Sequence, residues 1–220
     1  MSLIVYGHPF SSYTQKVLIA LYENKTPFEF RVVGDPNEKE HTTNWLKHWP
    51  LRKFPVLVDG ERSIAETSII IEYLQLKYPG SVRLIPDDPM KALDVRFLDR
   101  FFDLHVMNAM QHAVNGALTG DAVKRQEGLA FAVEKLELAY AWLEAHLVGK
   151  TWAHGADFTL ADCAAAPSLF YADWTYQIPE KYPALRAYRA RLLAHPSIAR
   201  AVDGGRPFRA YFPLGAPDRD

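Results

Sequence analysis

A single cysteine, Cys163, stands in 220 residues, so the chain cannot form an intrachain disulfide. That fits a reducing compartment. No apolar run approaches the roughly 20 residues that a membrane-spanning helix needs. The opening Met1-Ser2-Leu3-Ile4-Val5-Tyr6 lacks a basic segment and is too short for a secretory apolar core before Gly7-His8-Pro9. There is no excess of positive charge: 25 Lys and Arg face 26 Asp and Glu, a net charge of −1. That balance argues against a nucleic-acid partner, which calls for a basic face. HExxH and CxxC motifs are missing, and His105 and His112 lie two helical turns apart, so no metal is expected. Internal repeats and low-complexity tracts are missing too. What these absences leave is a soluble, cytoplasmic globular protein, long enough for one large or two small domains.

The most informative segment present is Lys53-Phe54-Pro55-Val56-Leu57-Val58-Asp59-Gly60, followed closely by Ser63-Ile64-Ala65-Glu66-Thr67-Ser68. Pro55 has no N–H and belongs at the start or edge of a strand. The peptide before it can be cis at modest cost, and a cis bond turns the Phe54 backbone outward, where an extended peptide can pair with it. Asp59-Gly60 between β-branched runs predicts a hairpin. Glu66 and Thr67 then offer a carboxylate and a helix N-terminus to the two charges of an amino acid head group. Together they imply a pocket for a small peptide.

Around that segment, the pattern predicts strands at Leu3–Tyr6, Phe28–Val33, Val56–Val58 and Arg62–Ala65. Helices are expected from Ser12, weakly over Asn37–Lys47, and over Thr67–Tyr78. The order βαβ-α-ββα implies one parallel pair and added antiparallel strands. Proline- and aspartate-rich residues 80–88 read as a linker between domains 1–79 and 89–220. Everything beyond is helical: Lys91–Ala117, Asp121–Leu147, a buried Thr159–Trp174 bent near Pro167, Pro183–Leu193 and Ser197–Val202, with an irregular end from Gly204.

Four spaced features resemble the cytosolic glutathione transferase family: the Ser11-Ser12-Tyr13-Thr14-Gln15-Lys16-Val17 turn into the first helix, Phe54-Pro55, Glu66-Thr67, and Asp157-Phe158-Thr159-Leu160-Ala161-Asp162. The resemblance covers nearly the whole chain and is to a bacterial member of the serine-type phi, theta and zeta-like classes. It implies an α/β thioredoxin-like N-terminal domain that binds glutathione, plus an all-α C-terminal helical bundle, usually as a homodimer. By this resemblance Ser11 takes the position of the catalytic hydroxyl. One hydrogen bond to a charged group supplies about 1.5–3 kcal/mol and a helix terminus about 0.3–1. Together these suffice to lower a thiol pKa by about two units. Ser11 and Ser12 also read as plain N-caps. Tyr6, where tyrosine-type classes keep a phenol, reads better as a core aromatic ending a strand.

The resemblance further implies that Glu66 holds an ammonium group and Thr67 a carboxylate, with Lys53 and His41 near the far carboxylate of the tripeptide. Phe54, through its backbone, and Pro55, Phe10 and Ser12 complete the implied glutathione site. Asp162 reads as the partner of Thr159 in a capping box, and Cys163 as buried and inert. Helical facing puts the electrophile's pocket between Phe10 and Phe102, His105 and Trp174. The expected activity is conjugation of the glutathione thiolate to hydrophobic electrophiles, with no metal. Two alternatives stand beside it. One is a maleylacetoacetate-type isomerase, from whose Cys-Ser-Trp the segment Tyr13-Thr14-Gln15 departs. The other is a glutathione-binding or interaction module without turnover.

Overall fold

The computed structural model describes residues 3–220; Met1 and Ser2, the start of the segment read above for a targeting signal, lie outside the described residues. The N-terminal part runs β1 (Leu3–Gly7), α1 (Ser12–Glu23), β2 (Phe28–Val32), α2 (Lys39–His48), β3 (Val56–Asp59), β4 (Arg62–Ile64) and α3 (Thr67–Lys77). The sheet order is β2-β1-β3-β4, with β1 parallel to β2 and antiparallel to β3. Val5 opposes Leu57 and Tyr6 opposes Val56. Strand alternation sends each pair to a different face. Leu3, Val5 and Leu57 join the main core with residues of α1 and α3, while Tyr6, Val56 and Val58 form a smaller core with Trp45 of α2. At the hairpin, the carboxylate of Asp59 accepts from the phenols of Tyr73 and Tyr78, both at 2.7 Å, which pins the turn to α3.

The chain from 78 to 88 has no regular element and is fastened at two points. Asn24, the C-cap of α1, bonds the backbone of Val82 through both side-chain atoms. A Cβ on Gly80 would come within 2.1 Å of that Asn24 side chain, so the crossing needs glycine. Gln75 in turn bonds the amide and carbonyl of Ile85, each at 2.8 Å.

The helical part comprises α4 (Pro89–Phe101), a π-helical turn (Phe102–Met107), α5 (Asn108–Leu118), α6 (Ala122–Leu147), α7 (Leu160–Thr175), α8 (Pro183–Ala194) and α9 (Pro196–Gly205). Asp88 caps α4 and Asp121 caps α6 through their carboxylates. Central α7 runs through Pro167 and is buried from Leu160 to Trp174, in keeping with its largely apolar sequence.

Two expectations are corrected. The single helix over Lys91–Ala117 is interrupted by the π turn, which changes the facing of every residue after Phe101. The segment after Gly204 is not wholly irregular: Arg206–Tyr211 form a 3-10 helix. Asp220 ties it down by pairing with Arg206 at 2.6 Å and Arg209 at 2.8 Å. Among the described residues, no helix is long and apolar enough to cross a membrane, and no group of ligating side chains could hold a metal ion.

Candidate active site

A cleft of about 720 Å³ opens between the sheet domain and the helices. Its sheet-side wall is Lys53, Phe54, Pro55, Glu66 and Thr67; its helical wall includes Arg96, Arg100, Asp103, Leu104 and Asn108. The Phe54–Pro55 peptide is cis. The indole of Trp45 donates to the Lys53 carbonyl at 2.9 Å and so fixes the approach to that peptide. Phe54 itself lies outside the strands, and its amide and carbonyl have no partner among the described residues.

Glu66 is the N-cap of α3 and stands at φ +67°, a conformation that a non-glycine residue adopts at a cost of about 1–3 kcal/mol. Its side chain makes no cap bond and joins no ion pair among the described residues. The first helical amide to be satisfied is Ile70, which donates to the Glu66 carbonyl at 2.8 Å. The amides of Thr67, Ser68 and Ile69 are therefore the orphan donors of the helix start, beside a free carboxylate. Such a pair can bind the carboxylate and ammonium of one amino acid head group.

Beneath this cradle lies a charge network that links both domains. Lys16 of α1, 1 % exposed, pairs with Asp99 at 2.6 Å and Asp103 at 2.9 Å. Arg100 pairs with the same two carboxylates at 2.9 and 2.7 Å. The Ser68 hydroxyl donates to Asp99 at 2.6 Å and accepts from Lys16 and Arg100. Two cations and two anions cancel, so the network holds the first turn of α3 without a net buried charge. Burial raises the Asp103 carboxyl above its ordinary range. Burial, reinforced by the negative charge of Asp103, pushes the Tyr13 phenol up to about 12. Tyr13 lines the cleft and stays a neutral donor at physiological pH.

Of the residues singled out in the sequence, Lys53, Phe54, Pro55, Glu66 and Thr67 share this cleft. Ser11 and Ser12, part-buried, are not among the residues that line it, although the next residue, Tyr13, is; Ser11 caps α1 by accepting from the Thr14 amide at 3.3 Å. Phe10 packs on Tyr171 and Trp174, with ring centroids at 5.3 and 6.3 Å. His41 lies in the first turn of α2, apart from the cleft lining, with Glu38 at 3.8 Å. Tyr6 is on the opposite sheet face, where its phenol accepts from Arg31 at 2.8 Å.

The three helical residues expected around the electrophile's pocket do not line the cleft. Phe102 is fully buried in the core, Trp174 is buried between Phe10 and Phe212, and His105 lines a separate depression of about 270 Å³. The π turn is the reason: it rotates Phe102 inward and delivers Asp103, Leu104 and Asn108 to the cleft instead. Sequence reasoning also missed Tyr13, Arg96 and Arg100. An arginine or tyrosine on an amphipathic helix carries no local mark of a cleft.

Both halves of the chain match known domains. The description "Glutathione S-transferase, N-terminal domain" matches residues 5–82, and "Glutathione S-transferase, C-terminal domain" matches residues 120–191. A probable maleylacetoacetate isomerase of Vibrio cholerae serotype O1 is 30% identical over 94% of this chain and 98% of its own. A probable glutathione S-transferase of Glycine max is 29% identical over 76% of this chain and 74% of its own. Among solved structures, a glutathione transferase homolog from Drosophila mojavensis with bound glutathione superposes with a TM-score of 0.82. It is 25% identical and covers 98% of both chains. With both domains matched in order and a relative aligned end to end, the chain belongs to the glutathione S-transferase family.

Proposed function

We propose that the protein conjugates glutathione to small electrophiles and that Ser11 ionises the thiol. The observation that carries this is the unpaired Glu66 carboxylate beside the open N-terminus of α3, in the same cleft as the unbonded Phe54 backbone. Glutathione offers a γ-glutamyl head group for Glu66 and Thr67, a cysteinyl backbone for Phe54, and a glycyl carboxylate for Lys53 and His41. Ser11 serves two roles without conflict. A hydroxyl has two acceptor sites and one donor. The Thr14 amide uses an acceptor site, which leaves the O–H to donate to a thiolate. The electrophile sits across the cleft, toward Tyr13, Leu104 and Asn108.

Titration with glutathione tests the cradle. Glu66→Gln is expected to raise KM for glutathione about tenfold, the worth of one charge-assisted bond, with kcat little changed. Unchanged KM removes Glu66 from the site. Chlorodinitrobenzene serves as the conjugation substrate.

A second reading, glutathione-dependent cis–trans isomerisation of a maleyl compound, is favoured by the Vibrio cholerae relative. It begins with the same thiolate, and a direct isomerase assay separates the two.

We also infer a homodimer. Leu93 and Phe97 lie one turn apart on α4, each more than half exposed, and Leu138 and Trp142 of α6 continue the patch. Phe97 and Trp142 join its two halves at 5.9 Å. A contiguous apolar face of this kind calls for cover, and a second copy is the expected occupant. Phe97→Glu is expected to weaken self-association by about 2–4 kcal/mol, read as a monomer in sedimentation velocity. A dimer undisturbed by it puts the interface elsewhere.

The reading is that of a cytoplasmic detoxification enzyme, in keeping with a single cysteine that is free and buried. Residues 1–79 are taken as the glutathione domain, 80–88 as the link and 89–220 as the helical domain. The end of α3 at Lys77 and the start of α4 at Pro89 support that division.

A further inference from the structure

Between Pro9 and Ser11, every polar backbone group has a partner. The Pro9 carbonyl accepts from the Gln15 side chain at 3.0 Å, and the Phe10 amide donates to the His8 ring at 3.2 Å. The Phe10 carbonyl accepts from the Tyr171 phenol at 2.8 Å. The Ser11 amide donates to the His8 carbonyl, and the Ser11 carbonyl accepts from the Gln15 amide, both at 2.9 Å.

A trans peptide is planar, with its C=O and N–H pointing opposite ways. Bonding both ends of one plane therefore removes its freedom to rotate. Two successive planes are held in this way, Pro9–Phe10 and Phe10–Ser11. The second sets the direction in which Ser11 leaves the backbone.

One of these partners comes from the other domain. Tyr171 lies on central α7, 3 % exposed, 161 residues along the chain from the carbonyl it holds. Its phenol is itself aimed. Gln15 donates to it at 3.2 Å, while the Phe10, Trp174 and Phe212 rings pack around it. The same Gln15 amide also donates to the Pro9 carbonyl, and the absence of a side chain at Gly205 leaves it the space to do so: a Cβ there would meet its nitrogen at 2.9 Å. Burial keeps the Tyr171 phenol protonated, so it is a donor at any working pH.

We propose that Tyr171 is a positioning residue for thiol ionisation: by holding the Phe10 carbonyl from the helical domain, it fixes the peptide plane that aims the Ser11 hydroxyl at glutathione. The inference rests on the Ser11 reading above. It makes the helical domain part of the thiol-activating apparatus, beyond any contact with the electrophile.

The test is the pH profile of conjugation with glutathione and chlorodinitrobenzene, read beside the near-ultraviolet thiolate band of the glutathione complex. Tyr171→Phe keeps the ring and its packing and deletes only the donor. The thiol pKa is expected to rise by about half a unit to one unit, with kcat down about three- to tenfold at slightly acid pH. KM for glutathione should stay unchanged, because the Phe54 and Glu66 contacts are untouched.

Tyr188→Phe is the control for a merely structural loss. Its phenol is also buried, but it bonds Asp162 and lies off the loop. It should lower Tm without moving the profile. A Tyr171→Phe variant that behaves the same way, losing Tm with an unmoved profile, overturns the inference and leaves the Ser11 reading intact. In Ser11→Ala/Tyr171→Phe, the shift should not exceed that of Ser11→Ala alone; two shifts that add overturn positioning through Ser11. An unmoved profile in Ser11→Ala alone removes both the Ser11 reading and this inference.

Discussion

Ser11→Ala is expected to lower kcat by about ten- to a hundredfold below the thiol pKa of the parent complex and to lose that deficit as pH rises. The sign follows from which form is charged. A donor to the sulfur favours thiolate, so the bound thiol ionises below the ordinary value of about 8.5. Removing a bond to a charged group forfeits about 1.5–3 kcal/mol, or one to two pKa units. The rate limb that follows thiolate formation then moves to higher pH by that amount. Below the parent's pKa, the variant holds about a tenth to a hundredth of the thiolate. Above the variant's own pKa, both are fully ionised. There the more basic thiolate is also the better nucleophile, since reactivity rises with thiol pKa at a slope of about 0.4–0.5. The deficit should close in alkali. Loss of the N-cap is a separate matter: it costs about 1 kcal/mol of stability and a few degrees of Tm. A deficit that is equal at every pH would make Ser11 a cap alone, and no deficit would move the activating group to Ser12 or Tyr13. Thiolate absorbance with glutathione bound gives the pKa directly.

The parts of the site that could be read from the sequence are those whose chemistry is local. Asp59-Gly60 marks its own hairpin, with Gly60 at φ +60°. Phe54-Pro55 and Glu66-Thr67 each announce a backbone feature within two residues, and both reach the cleft. Thr159 and Asp162 likewise announce the start of a buried helix.

What could not be read depends on partners far along the chain. Lys16 sits in an apolar helix with nothing beside it to show that it will meet Asp99 and Asp103. The π turn has no breaker residue at its head; Phe101-Phe102-Asp103 looks like ordinary helix. Yet after that turn it is Asp103, Leu104 and Asn108 that line the cleft, while Phe102 is buried and His105 lines a separate depression. The terminal 3-10 helix is held by Asp220 from outside its own span.

The largest effect on stability is expected from Asp162→Ala. The carboxylate, in the first turn of α7, is completely buried and accepts four bonds. The Thr159 amide and hydroxyl reach one oxygen at 2.8 and 3.1 Å. The Ala153 amide and the Tyr188 phenol reach the other at 2.8 and 2.7 Å. One side chain thereby fastens the start of the central helix, the segment before it and α8. Burial raises its pKa even so, although all four donors act to lower it. A carboxyl with a raised folded pKa contributes most below its unfolded pKa and loses that contribution as pH climbs through the folded value. The ionised group is thus held at a net solvation cost, and its benefit lies in the donors it satisfies. Alanine leaves those donors buried without an acceptor, at about 1–3 kcal/mol each before relaxation. The net loss is expected near 4 kcal/mol, a large share of the about 5–15 that holds a domain together. Tm should fall by about 10 °C, while the folded fraction keeps its KM for glutathione, because Asp162 lies outside the residues that line the cleft. A small change in Tm would mean that water or a shifted backbone satisfies the stranded donors. Asp162→Asn sharpens the test: its amide turns two N–H groups toward groups that also donate, so it should rescue little although its shape is nearly the same.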